Sequence, residues 1–358
     1  MDNFRYTYKC INNRTKLKNV TRSKKGIIGE GYYGTVYNLN GHGGFLSLLP
    51  PFKFINKIII FSQSSKLPII LNNNKLMIEF LDNLHNTKNR IVKVIKKNNS
   101  WGETNIFKAE INTNREIANI YGNDKSVYLT NTPIKFKKNN IIGAIFEYNN
   151  CILHAIFGER CNNKKDIKLS KLIIDIINSI TILDKNNYEH NDIKLDNIIF
   201  CKNTYKLIDW GLGHTMISTV PTLKQLSTLS AGTTITTSPI RIYCRGKVYN
   251  NLSPADVVMN RAKQQHKKIF NSSLFKKHHK RIKNEYNLVL EKEDNPIKLY
   301  EIYKHTFGLY QLGMVILFEV INSNLSYNIY KTIIDHLTSI INPIKDVQFT
   351  NQYIRSLL

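Results

Sequence analysis

The period of the apolar positions changes along this chain. Lys25–Ile28 and Thr35–Leu39 pattern as two strands around a glycine-rich turn. The stretch RIVKVIKK (90–97) alternates with the period of two that a strand requires. Ile141–Glu147 is an apolar run of strand type that ends in FEYNN. From Lys168 the period lengthens. Leu172, Ile173, Ile176, Ile177, Ile180 and Leu183 fall at helical spacing and define an amphipathic helix. A short apolar strand, Ile198–Phe200, follows it.

Composition narrows the picture. A chain of 358 residues can form one large domain or two lobes with a sizeable core. Its five cysteines (Cys10, Cys151, Cys161, Cys201, Cys244) include no C-x-x-C pair. That spacing argues against a zinc site or a disulfide framework and suits a reducing compartment. No apolar core follows Met1, so no signal peptide is expected, and no apolar run is expected to reach the length that crosses a bilayer. These features point to an intracellular protein, cytoplasmic or nuclear. The net charge of +25 fits a nucleic-acid or acidic-membrane partner. It also fits a chain rich in Lys, Asn and Ile throughout, as an AT-rich genome produces.

The candidate chemistry lies in HNDIKLDN (190–197) and YKLIDWG (205–211). Asp192, Lys194, Asn197 and Asp209 supply a base, a cation and two hard oxygen ligands. Phosphoryl transfer asks for such a set, because it needs alignment and positive charge beside the oxygens that carry the developing negative charge. The stretch resembles the catalytic loop and metal-binding turn of eukaryotic-type protein kinases, H-R-D-x-K-x-x-N and D-F-G. The resemblance implies an α+β, two-lobed protein-kinase-like fold with a small antiparallel-sheet N-lobe (1–147) and a mainly helical C-lobe (148–358). It implies ATP and Mg²⁺ as cofactors and a protein substrate. Asp192 would be the catalytic base, Lys194 would steady the γ-phosphate, and Asn197 and Asp209 would hold the metal. His190 would pack as a structural residue.

Other motifs extend the likeness. GEGYYGTVY (29–37) fits G-x-G-x-x-G-x-V, so Gly29, Glu30, Gly31 and Gly34 would cover the phosphates and Val36 would lie above the adenine; without a Cβ, glycine lets backbone N–H groups approach the oxygens. Lys93, on the same strand face as Ile91, matches the lysine of V-A-I-K; Lys96, on the opposite face, competes with it. Glu116 is selected over Glu110 as the helical partner of that lysine, because Ile120, four residues on, is apolar where Asn114 is not. Ile91, Phe146, Glu147, Tyr148 and Ile199 would line the adenine. Thr233, in GTTITTSPI (232–240), matches the threonine of the family's substrate-docking segment, which bonds the catalytic Asp and Lys. GLYQLGMVILFEVI (308–321) resembles the buried helix of the large lobe.

The departures are also informative. Asn191 replaces the usual Arg, which normally pairs with a phosphorylated loop. Trp210 replaces Phe, Thr236 a Tyr, Ile240 a Glu and Gly308 an Asp, and the last losses are expected to remove polar struts of the large lobe. Two insertions interrupt the pattern, at about 40–89 and about 243–303. The second contains the basic stretch 261–283, which is either a solvated helix or a surface for nucleic acid, acidic lipid or an acidic substrate. The resemblance covers the rest of the chain and points to a Ser/Thr protein kinase, since Lys194 follows the Ser/Thr pattern. A pseudokinase scaffold, a kinase-like small-molecule phosphotransferase and a nucleic-acid-binding protein are the alternatives.

Overall fold

The computed structural model describes residues 27–31, 34–38, 57–60, 69–71, 90–96, 112–113, 116–117, 120, 134–138, 141–147, 152–153, 169–201, 204–217, 220–228, 235–246 and 252–358. The chain separates into two compact units. One comprises Met1–Leu153 with Phe200–Asn203, and the other His154–Ile199 with Thr204–Leu358.

The first unit is built on a sheet of seven strands: β1 (Ile27–Gly31), β2 (Gly34–Asn38), β3 (Lys57–Ile60), β4 (Ile69–Leu71), β5 (Arg90–Lys96), β6 (Ile134–Lys138) and β7 (Ile141–Glu147). Their spatial order is β1-β2-β5-β7-β6-β3-β4, and every neighbouring pair is antiparallel. A further short strand, β8 (Ile152–Leu153), closes the unit's sequence. The stretch expected to be an insertion therefore contributes to the sheet. β3 and β4 lie within it, and they extend the sheet beyond β6 rather than beside β2, which precedes them in sequence. Their runs KIII and IIL are rich in β-branched isoleucine, a composition that favours strands, but are too short to show a period. Residues 112–113, 116–117 and 120 are helical, with Ile117 buried.

The second unit is mainly helical. It contains α1 (Leu169–Lys185), β9 (Tyr188–Glu189), β10 (Ile198–Cys201), β11 (Thr204–Leu207), β12 (His214–Thr215), α2 (Leu223–Thr228), α3 (Pro239–Cys244), α4 (Pro254–Gln265), α5 (Lys267–Asn271), α6 (Ser273–Lys292), α7 (Pro296–Tyr303), α8 (Phe307–Ser323), α9 (Tyr327–Thr338) and α10 (Val347–Leu357). Capping side chains stand at helix starts of this unit. Ser253 caps α4 and Asn295 caps α7, each followed by a proline at the first helical position. The cap side chain satisfies an N–H that has no partner inside the helix, and proline loses nothing there.

α8 is the central helix, buried over most of its length. α9 packs so closely on it that a Cβ at Gly313 would stand 2.9 Å from the Leu337 Cβ and 2.6 Å from the Thr338 Cγ2. Among the described residues Pro296–Ser323 is long and apolar enough, by length and composition alone, to cross a bilayer. This corrects the expectation that no run would reach that length. Its apolar window is 78% buried inside the protein, and a 3-10 turn at Lys304–Thr306 interrupts it. The stretch is the core of this unit.

The basic stretch 261–283 is also packed. It spans the end of α4, all of α5 and about half of α6, and it buries Ala262, Ile269, Phe275, His278, His279 and Ile282. Lys263, Lys267, Lys268, Lys276, Lys277 and Lys280 are exposed. The period-3.6 arrangement thus gives an apolar inner face and a cationic outer face, in place of a helix solvated all round.

His278 is 4% exposed, and neither ring nitrogen has a hydrogen-bond partner among the described residues. Burial pushes its pKa down from 6.5 to about 3. The unfolded chain therefore binds a proton that the folded chain excludes. This penalty is absent above pH 6.5 and grows as pH falls from 6.5 toward about 3. His278→Leu should remove it. The stability gained by the variant over the wild type should rise by roughly 2 kcal/mol between about pH 7.5 and about pH 5, at about 1.4 kcal/mol per pH unit below the unfolded pKa. Urea denaturation at the two pH values measures this, and a pH-independent difference would refute it.

Candidate active site

The second unit brings together the residues of the loop after α1. Asn187, in the left-handed region at φ 51°, turns the chain out of α1 and into β9. Asparagine tolerates that conformation at a helix C-terminus better than most residues. His190 is 1% exposed and is held at both nitrogens. Its Nε2 donates to the Ile208 carbonyl at 3.0 Å, and its Nδ1 accepts from the Asp192 N–H at 3.3 Å. Its ring lies 4.4 Å from that of the buried Trp210. Burial lowers its pKa more than the nearby carboxylates raise it, so the ring is neutral, as this donor–acceptor pattern requires.

Asp192 is buried, yet only one of its oxygens is occupied. Oδ2 accepts from Lys194 Nζ at 2.7 Å and from Asn197 Nδ2 at 2.8 Å. Oδ1 has no hydrogen-bond partner among the described residues. Burial works against the charge on Lys194, but Asp192 and Asp196 outweigh it and hold the pKa above the ordinary lysine range. Burial raises Asp196 to about 6, against the pull of Lys194. The 3-10 turn Leu195–Asn197 points the Asn197 amide back at Asp192, and Nδ2 also donates to the Asp192 carbonyl at 2.8 Å. The amide oxygen of Asn197 is the atom left over.

Asp209 is set by its neighbours. The Ile208 N–H donates to the Asn197 carbonyl at 2.9 Å, while the Ile208 carbonyl accepts from His190. Trp210 anchors the other side in the core. Between them Asp209 is exposed and adopts φ 61°, ψ 66°, a left-handed conformation that costs energy for a non-glycine residue. Asp209 and Asn197 offer hard oxygens, the donor type that Mg²⁺ takes. Among the described residues no group of three His, Cys, Asp or Glu side chains could hold a metal ion. A cation here would draw its remaining ligands from a bound phosphate and water.

The loop is also braced from below, by residues that the motifs did not single out. Gln311 of α8 donates from Nε2 to the Asn191 carbonyl at 3.2 Å and accepts at Oε1 from the Ile193 N–H at 3.1 Å. It thus holds the peptide groups on both sides of Asp192. Glu189 pairs with Arg241 of α3 through both oxygens, with Nη2 to Oε1 at 2.9 Å, and with His214 Nε2 at 2.7 Å. Gly308 and Ile240 themselves supply no polar strut, and Gly308 faces the apolar side chains of Ile180 and Ile193. Gln311 and Arg241, three residues and one residue further along, brace this region with polar contacts. The signal available in the sequence was a charged or amide residue inside an apolar run, in PIRIYC and in GLYQLG.

In the first unit, Gly29, Glu30 and Gly31 lie in β1, and Gly34 and Val36 lie in β2. Glu30 pairs with Thr35 and Gly31 with Gly34, so the expected hairpin is present. Lys93 stands between Val36 and Ala144, and Ile91 between Asn38 and Phe146. Glu147, at the end of β7, pairs with Arg90. Glu116 is helical and exposed, and Ile120 half-buried. Ile199 lies in β10. Tyr148 and Thr233 lie outside the described residues, as do the side chains of the sheet strands, including that of Lys93.

A partial, distant similarity to protein kinases accompanies this geometry. Cyclin-dependent kinase F-4 of Oryza sativa subsp. japonica is 26% identical over 92 residues, which are 26% of this chain and 20% of that protein. Cyclin-dependent kinase F-3 of the same organism is 26% identical over 91 residues, 25% of this chain and 21% of that protein. The chain thus spans about a fifth of the length of the curated relatives it matches. No protein-family model matches it.

Proposed function

We propose that this chain is a Ser/Thr protein kinase of protein-kinase-like fold, transferring the γ-phosphoryl group of ATP to protein hydroxyls. The observation that carries the reading is the state of Asp192. One oxygen is fixed by Lys194 and Asn197, and the other is left to accept a proton. In the proposed step the substrate hydroxyl gives its proton to Asp192 Oδ1 as its oxygen attacks the γ-phosphorus. The bond from that phosphorus to the β,γ-bridging oxygen breaks, ADP leaves, and Asp192 returns the proton to solvent. Lys194 stabilises the transferring group by its charge. Asn197 and Asp209 would hold Mg²⁺, which when bound neutralises charge on the phosphate oxygens. Gly29, Gly31 and Gly34 would cover the phosphates, Lys93 and Glu116 would form the pair that orients them, and Thr233 would align Asp192 with Lys194. Ile91, Phe146, Glu147, Tyr148 and Ile199 would bind the adenine.

The test is incubation with γ-labelled ATP, Mg²⁺ and two sets of acceptors. Label should appear on serine or threonine of a generic protein substrate and not on sugars, choline or aminoglycosides. Label confined to the small molecules would replace this reading by a small-molecule phosphotransferase. Nucleotide binding without transfer to either set would make the chain a pseudokinase.

A further inference from the structure

Glu189 occupies an unusual place for a carboxylate. It is 7% exposed, in β9, and immediately precedes His190 and the loop that carries Asp192. Its two oxygens go to residues far apart in sequence. His214 lies five residues after Asp209, is the cross-strand partner of Glu189 in the β9–β12 pair, and sets Nε2 2.7 Å from Oε1. Arg241 lies beyond Pro239, is 2% exposed, and forms a two-bond pair with both oxygens. The guanidinium also stands 4.9 Å from the centroid of the Phe307 ring at the start of α8. Further bonds fix the same start of the segment. The Met216 N–H donates to the Asn187 carbonyl and the Ile217 N–H to the Tyr300 hydroxyl.

The stretch from His214 to Arg241 carries the Ser and Thr residues that precede the docking motif. Both of its ends are therefore tied to one carboxylate on the strand that leads into Asp192. Such a segment elsewhere is ordered by a phosphate placed opposite cationic side chains. Here the anion is encoded. Burial alone would raise the pKa of Glu189, but Arg241 and His214 outweigh it and hold it at about 2, so the charge is permanent under ordinary conditions.

We propose that Glu189 is a positioning residue that holds both ends of the 214–241 segment against the catalytic loop, so that the site is assembled without phosphorylation of that segment. The consequence for transfer rests on the kinase reading above; the clamp itself does not. Glu189→Gln keeps the shape and removes the charge that faces Arg241 and His214. Amide hydrogen exchange on the full chain should speed up by roughly 10²-fold at 214–215 and at 239–244 together, since a broken buried pair leaves Arg241 uncompensated. His214→Gln, which leaves the Arg241 pair intact, should loosen only the 214–215 end and serves if the first variant does not fold. Phosphate transfer by Glu189→Gln should fall at least about 10-fold in kcat, with KM for ATP within about threefold. Phosphatase-treated wild type should keep its full rate. Unchanged exchange at either end in Glu189→Gln, or loss of wild-type activity on phosphatase treatment, would overturn the proposal. A wild type with no transfer activity but with both ends loosened in the variant would refute the kinase reading and leave the clamp standing.

Discussion

Asp192→Asn is expected to lower kcat for phosphoryl transfer by roughly 10²–10⁴-fold, the range over which a positioned general base contributes. The substitution is nearly isosteric. An amide oxygen can still accept from Lys194 and Asn197, so the loop should keep its shape. The group facing Oδ1's position, however, can no longer take a proton from the substrate hydroxyl. Removing the charge also leaves Lys194 with Asp196 as its nearest remaining carboxylate, which shifts the field that the transferring group meets. KM for ATP should change little, because in the proposed step the residue acts on the acceptor hydroxyl. Steady-state kinetics with ATP varied at a saturating acceptor concentration separates the two parameters. A variant that retains the wild-type kcat would exclude Asp192 as the base.

Gln311→Leu is expected to have the largest effect on stability among substitutions outside the reacting groups. The side chain is 2% exposed and satisfies two buried backbone groups, the Asn191 carbonyl and the Ile193 N–H. Leucine matches its size and apolar stem but leaves both groups without that partner, at about 1–3 kcal/mol each, or roughly 2–6 kcal/mol together. Gln311→Glu can still accept from Ile193 but cannot donate to Asn191 and adds an unpaired buried charge, so at neutral pH it should be no more stable than the leucine variant. Because the two peptide groups flank Asp192, kcat should fall in the same order. Denaturant midpoints and kcat of the three proteins check this, and a leucine variant as stable as the wild type would remove Gln311 from the account.

The difference between what was legible in the sequence and what was not follows from range. Asp192, Lys194, Asn197 and Asp209 lie within one short stretch, and their chemistry dictates their types and spacing. The strand and helix periods around them, RIVKVIKK and Leu172–Leu183, are equally local. The contacts that hold the loop are not. Glu189 meets a residue 52 positions away and Asn191 one 120 positions away, and no local pattern records such a pairing. For the same reason the polar struts at Gly308 and Ile240 read as lost, although other residues make such contacts nearby. β3 and β4 are not legible because three apolar residues in a row carry no period, and their place beyond β6 is set by the sheet. The basic stretch showed its charge clearly. Its packed inner face depends on α6 meeting α4 through the His279 ring and the Ala255 carbonyl, which composition does not encode.

Asn191 and Glu189 together give the site its particular character. Asn191 stands before the proposed base where the motif it resembles has Arg, and an acid stands two residues earlier, already paired with Arg241 and His214. The central claim is that these residues perform phosphoryl transfer to protein hydroxyls. It is tested most directly by comparing the phosphoproteins formed when purified wild type and Asp192→Asn are each added, with ATP and Mg²⁺, to a lysate whose own kinases have been inactivated. The expected result is a set of phosphoserine and phosphothreonine sites present with the wild type and absent with the variant. Identical site lists from the two proteins would contradict the account.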